Sequence, residues 1–106
     1  MIEPKILIVD DDENIISLVT DVLEKENFTV ITASDTEEGY KKAINSRPDL
    51  VILDIKMPKI GGIELCRTLR EEPRTKTIPI IMLTVESTET DKTIGLGIGA
   101  DDYITK

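Results

Sequence analysis

Short apolar runs closed by polar or turn residues alternate along this chain with longer stretches whose apolar positions recur at helical spacing. The first run, Lys5 to Val9, is β-branched and stops at Asp10-Asp11-Asp12. It reads as a buried strand that ends in acids. From Glu13 to Lys25, Ile15, Ile16, Leu18, Val19, Val22 and Leu23 make one helical face. Asp12 stands where an N-cap belongs, and acid follows in the first turn. Phe28 to Thr32 predicts a second strand. Ser34-Asp35-Thr36-Glu37 fits a capping box, with Ser34 at the cap and Glu37 three residues on. The helix it opens runs to about Asn45, with Tyr40, Ala43 and Ile44 facing inward.

Arg47-Pro48-Asp49 breaks that helix, and a continuous apolar run from Leu50 to Leu53 ends abruptly at Asp54. An uninterrupted run of this kind reads as a strand buried on both faces. Gly61-Gly62 opens a third helix to about Glu71, with Ile63, Leu65, Cys66 and Leu69 as its apolar side. A loop from Glu72 to Thr77 leads to a fourth strand, Ile78 to Leu83, ending at Thr84. Thr88 to Ile98 is helix-like, although Gly95 and Gly97 each cost it roughly 1 kcal/mol. Asp101 to Lys106 reads as a short last strand. Strand and helix alternating in this way predict an α/β fold, a parallel sheet with helices on both faces and right-handed crossovers. The 106 residues make one domain, with no linker or internal repeat.

Composition narrows the chemistry. Aromatic residues are only 3% of the chain, so the core must be aliphatic. The net charge of −8 argues against direct contact with nucleic acid or an anionic membrane, and suits a cation or a basic partner. The absence of histidine removes the commonest general base and zinc ligand. Cys66 stands alone and reads as a small core residue. No signal peptide or long apolar run is present, and a cytoplasmic location is expected.

In a parallel sheet all strand C-termini share one edge, the edge where ligands bind in open α/β folds. Asp10 and Asp11 from the first strand, Asp54 from the third, Thr84 from the fourth and Lys106 from the fifth therefore converge there. Taken alone, Asp54 could simply cap the following loop. Three close carboxylates repel one another unless a cation neutralises them. Hard oxygen donors without histidine point to Mg²⁺ rather than zinc. A carboxylate can accept a phosphoryl group to give an aspartyl phosphate. The rest is alignment and charge neutralisation, with a metal, an ammonium and a hydroxyl each suited to one equatorial oxygen. A phosphatase using the same intermediate usually carries Asp-x-Asp-x-Thr on its first strand, whereas Asn14 stands where that threonine would be. No glycine-rich phosphate loop follows the first strand, which argues against a nucleotide or flavin site.

Four stretches carry a family resemblance: Ile6-Leu7-Ile8-Val9-Asp10-Asp11-Asp12, Leu53-Asp54-Ile55-Lys56-Met57-Pro58, Ile81-Met82-Leu83-Thr84 and Gly99-Ala100-Asp101-Asp102-Tyr103-Ile104-Thr105-Lys106. Together they closely resemble the receiver domains of bacterial two-component response regulators. The resemblance spans essentially the whole chain. It implies a flavodoxin-like, doubly wound, five-stranded parallel sheet in the order 2-1-3-4-5. It implies that Asp54 is the phosphoacceptor, served by a sensor histidine kinase. Asp11 and Asp54 would hold Mg²⁺ with the backbone carbonyl of Lys56, Asp10 acting mainly through a metal-bound water. Thr84 and Lys106 would bind phosphoryl oxygens, and Tyr103 would turn inward as Thr84 moves. Lys56 and Glu86 would flank the site and tune dephosphorylation. A second reading keeps the fold as a phosphorylation-independent interaction module; the intact Asp54, Thr84 and Lys106 argue against it.

Receivers normally continue beyond the last strand with a proline, a loop and a fifth helix. The fold of residues 1–106 is accordingly expected without that helix, exposing aliphatic surface through which the chain would self-associate. Any output domain would lie outside it, and the segment from Asp91 to Lys106 looks most like receivers joined to winged-helix DNA-binding domains. Val85 follows Thr84 where the family usually carries alanine or glycine. Either it packs harmlessly or its branched side chain narrows access to Asp54. Val85→Ala is expected to speed phosphoryl labelling of Asp54; an unchanged rate would leave harmless packing as the explanation.

Overall fold

The apolar runs assemble into one sheet in the computed structural model, which describes residues 3–54, 61–84 and 101–105, with the backbone alone at 84 and 103–105. In chain order the elements are β1 (Lys5–Val9), α1 (Glu13–Lys25), β2 (Thr29–Ala33), α2 (Thr36–Ser46), β3 (Leu50–Asp54), α3 (Gly61–Glu71), β4 (Ile80–Thr84) and β5 (Asp102–Thr105). Every strand pair is parallel, and the sheet order is β2-β1-β3-β4-β5. This is the doubly wound, flavodoxin-like arrangement that the family resemblance implies. The helix-like stretch from Thr88 to Ile98 lies outside the described residues.

Alternation along each strand divides the core between two faces. Leu7, Val9, Val51, Leu53, Ile80 and Met82 face one side and pack with Ala43 of α2 and Leu65, Cys66 and Leu69 of α3. Ile6, Ile8, Ile52 and Leu83 face the other side, against Ile15, Ile16, Val19 and Leu23 of α1. Because both faces are covered, the strands read as continuous apolar runs instead of alternating ones.

Three boundaries and one helix face differ from the sequence reading. Phe28 lies outside β2 because its N–H donates to Leu23 O at 3.1 Å, closing the end of α1. Asn27 adopts a left-handed φ of 68° in that turn. Ile78 lies outside β4 because its N–H returns to Thr75 O at 3.0 Å, and Pro79, which has no N–H, separates it from the strand. The cap of α2 is Asp35, one residue later than Ser34. Asp35 Oδ1 accepts from Glu38 N at 2.7 Å, while Glu38 Oε1 accepts from Ser34 N at 2.8 Å. Asp35 and Glu38 take the two capping-box roles, except that Glu38 reaches the N–H of Ser34, one residue before the cap. Finally, Leu18 (62% exposed) and Val22 (54%) do not join the buried face of α1. They sit one turn apart, beside the stripe that touches the sheet.

Gly61 opens α3 with φ +80°, a conformation that suits glycine. Gly39 answers a different demand. A Cβ there would stand 2.9 Å from both γ-carbons of Val9 and 3.2 Å from Leu65 Cδ2. Its bare backbone lets α2 lie against β1, directly beneath the strand that leads to Asp10. Alanine would gain about 1 kcal/mol of helix propensity, against an overpacking cost of roughly 1–3 kcal/mol. Gly39→Ala is therefore expected to lower the melting temperature, and Val9→Ala in the same chain to relieve part of the extra penalty. Thermal melts of the two single variants and the double variant measure both effects.

Candidate functional site

The two central strands end flush. Val9 is the register partner of Leu53, so the next residue on each, Asp10 and Asp54, is delivered to the same point on the C-terminal edge. One carboxylate oxygen from each of Asp10, Asp11 and Asp54 falls within 4.8 Å of the others. Asp10 is fully buried and Asp54 is 3% exposed, whereas Asp11 is exposed.

The three consecutive aspartates do different work. Asp10 Oδ1 accepts from Asp12 N at 2.9 Å, folding the chain back after β1. Asp12 Oδ1 accepts from Asn14 N at 2.9 Å and Ile15 N at 3.4 Å, and so caps α1 as the sequence suggested. Asp11, between them, brings its carboxylate to the group formed with Asp10 and Asp54. The structural role of Asp10 was not foreseen. Its only sequence signal is the Asp-x-Asp spacing, which suits a side chain that bonds the backbone two residues on.

Charges held this close in a partly buried site repel by on the order of 3 kcal/mol per pair at an effective dielectric of about 20. The donors are all carboxylate oxygens, with neither sulfur nor imidazole among them. That chemistry suits a hard divalent cation. Asp54 closes a buried strand, with Asp10 just after the neighbouring strand and the exposed Asp11 beside them, an arrangement able to hold a cation and present one carboxylate oxygen to a reacting group.

Thr84 reaches the same edge by register. Leu83 pairs with Asp54, and Thr84 follows it, paired with Thr105. Tyr103 pairs with Met82, two positions short of that end. Lys56, Val85, Glu86 and Lys106 lie outside the described residues. Cys66 is fully enclosed by the core. Burial pushes its thiol above its ordinary pKa, outweighing the opposing pull of the Arg70 charge, while Asp101 adds to the rise. That environment fits the packing role read from the sequence. An open groove of about 510 Å³ between α1 and α2 includes none of the three carboxylates in its lining. Among the described residues no helix is long and apolar enough to cross a membrane.

Comparison with known proteins agrees with this geometry. The family model for the response regulator receiver domain matches residues 6–106. The chain is 51% identical over 102 residues to the alkaline phosphatase synthesis transcriptional regulatory protein PhoP of Bacillus subtilis, covering 96% of this chain and 42% of that one. It is 45% identical over 103 residues to the phosphate regulon transcriptional regulatory protein PhoB of Rhizobium meliloti, covering 97% and 45% respectively. The chain thus spans less than half the length of these curated relatives. Among solved structures, chemotaxis protein CheY4 of Vibrio cholerae superposes with a TM-score of 0.94 at 34% identity, covering 99% of this chain and 88% of that one. A putative response regulator from Chloroflexus aurantiacus gives 0.95 at 36% identity, covering 99% and 86%.

Mutual repulsion among the carboxylates has a measurable consequence. With divalent cations removed by EDTA, Asp11→Asn is expected to raise the melting temperature, because the fold then holds one fewer like charge at this point. A lower melting temperature would show instead that Asp11 makes a net favourable contact.

Proposed function

This chain belongs to the response regulator receiver domains, and from that membership we propose that Asp54 is the residue through which it is switched by phosphorylation. The observation that carries the assignment is the gathering of Asp54 with Asp10 and Asp11 within 4.8 Å at the sheet's C-terminal edge. The donor is a phosphohistidine on a sensor histidine kinase. A carboxylate oxygen of Asp54 attacks the phosphorus, the nitrogen–phosphorus bond breaks, and the imidazole leaves and takes up a proton.

Asp11 and Asp54, with the backbone carbonyl of Lys56, would hold Mg²⁺, and Asp10 would act mainly through a metal-bound water. When bound, the ion would offset the charge that the carboxylates and the incoming phosphoryl group bring together. Thr84 and Lys106 serve the phosphoryl oxygens by hydroxyl and ammonium. Tyr103 is the switch residue that follows Thr84. The charge added at Asp54 biases a two-state surface that partners read.

The named relatives are transcriptional regulatory proteins more than twice the length matched here. An output domain that binds DNA is therefore the proposed recipient of the signal, while the receiver itself, with a net charge of −8, makes no direct nucleic-acid contact. The reading places the chain in the cytoplasm.

Intact mass after incubation with acetyl phosphate tests the assignment. One added phosphoryl group is expected for the wild-type chain in Mg²⁺, and none in EDTA or in Asp54→Ala. Labelling that survives Asp54→Ala would move the phosphoacceptor elsewhere, and labelling indifferent to EDTA would remove the metal from the scheme.

A further inference from the structure

The fifth strand is short and lies at the end of the sheet, paired among the described residues with β4 alone. Backbone ladders by themselves specify register weakly, and a slip of one residue turns every side chain to the opposite face and moves it by about 3.3 Å. Something must hold β5 in place along β4. One cluster of side-chain bonds does so, at the end opposite the carboxylates.

Arg70, in the last turn of α3, extends its half-buried guanidinium beneath the sheet. Its Nη1 donates to Lys76 O at 3.1 Å and to Ile78 O at 2.5 Å, in the loop that leads to β4. Its Nη2 donates to Asp101 Oδ2 at 2.6 Å, immediately before β5. The same carboxylate oxygen accepts from Ile80 N, the first residue of β4, at 2.8 Å. Asp101 N in turn donates to Ile80 O at 2.8 Å. Ile80 is thus gripped through both its N–H and its carbonyl by Asp101, and Asp101 is gripped by Arg70. A slipped strand would carry the carboxylate away from both donors.

Asp101 is more than half exposed, so the ion pair adds little to overall stability. Its geometry is nonetheless selective. A planar guanidinium reaching three acceptors on two segments admits one arrangement of them, which a point-charged ammonium would not enforce.

We propose that Arg70 and Asp101 are a positioning pair for phosphoryl transfer, fixing the offset between β4 and β5 and hence the pairing of Thr84 with Thr105 at their far ends; this rests on the reading of Asp54 as phosphoacceptor. Thr84 closes β4, four residues after Ile80, and Lys106 follows Thr105, five residues after Asp101. Both strands are pinned at their starts by one carboxylate oxygen, so Thr84 and Thr105 stay paired at their far ends. Neither Arg70 nor Asp101 touches the reacting atoms. On this proposal, Mg²⁺ binding through Asp11, Asp54 and the Lys56 carbonyl is independent of the pair.

That separation of roles gives the test. The whole chain is compared with Arg70→Met, Arg70→Lys, Asp101→Ala and Asp101→Asn. Two quantities are read: the initial rate of Asp54 labelling by acetyl phosphate at saturating Mg²⁺, and Mg²⁺ affinity by calorimetric titration. Arg70→Met and Asp101→Ala are expected to slow labelling by about tenfold, since misplacing an aligned group by about 1 Å costs up to ~10²-fold. Mg²⁺ affinity stays at its wild-type value. Arg70→Lys recovers part of the loss. Wild-type labelling rates in the variants would overturn the proposal, as would a parallel fall in labelling and Mg²⁺ affinity, which marks general loosening. Should Arg70→Met and Asp101→Ala fail to melt cooperatively, Asp101→Asn decides. It keeps an acceptor for Ile80 N and removes the charge facing Arg70, so slowed labelling at unchanged Mg²⁺ affinity upholds the pair and wild-type labelling refutes it. A wild-type chain that takes up no phosphoryl group overturns the phosphoacceptor reading itself, and this proposal with it.

Discussion

Like charges forced together at the end of two flush strands are the constraint on which this structure turns. Val9 and Leu53 are register partners, and each is followed by an aspartate. The strands cannot pair in this register without bringing Asp10 beside Asp54. Packing of the aliphatic core drives that register, because a one-residue slip would turn Val51 and Leu53 away from α2 and α3. Hydrophobic burial thus holds in place a carboxylate group that electrostatics opposes. A site assembled against its own repulsion is ready to respond to a cation or to a change of charge.

The surroundings serve that arrangement at close range. Asp10 is committed to the backbone of Asp12, and Asp12 to the first turn of α1, so the loop after β1 is held by its own side chains. Gly39 lets α2 approach Val9 more closely than a side chain would allow, which supports β1 from below. Cys66, enclosed and held protonated by its burial, fills space between α3 and the sheet. At the opposite edge Arg70 and Asp101 tie α3 to the starts of β4 and β5. The strands act as struts. Their starts are held by backbone and ion-pair contacts, and their ends carry the residues proposed to meet the phosphoryl group.

Membership of the receiver family agrees with this division between scaffold and site. Relatives that regulate transcription and structural neighbours that include a chemotaxis protein share the fold. What the solved neighbour shares with this chain is the sheet and its helices, superposed at a TM-score of 0.94. One fold can host different functions, because function resides in a site carried by the scaffold and not in the scaffold itself.

Periodicity made the elements legible in the sequence, because covered strands read as unbroken apolar runs and each stops at a polar residue. The acids at Asp10, Asp11 and Asp54 could be placed on one edge by topology alone, since parallel strands share their direction. Local competition for backbone groups blurred the boundaries. Asp35 and Ser34 both suit a cap, and only the extended backbone of Asp35, with Glu38 reaching back to Ser34, settles which one acts. Likewise the helical pattern of α1 includes Leu18 and Val22, yet the width of the contact with the sheet is a tertiary quantity that excludes them. The role of Arg70 was invisible in the chain, where it is one cation near the end of a helix. Its acceptors lie up to 31 residues away in sequence, and a long-range partner is chosen by how the elements pack. The chain by itself determined which elements form and which carboxylates share an edge, because both follow from side-chain pattern and strand direction. Tertiary structure alone decided how close those carboxylates come and what pins the last strand, because separations across a sheet depend on register and packing between segments distant in sequence.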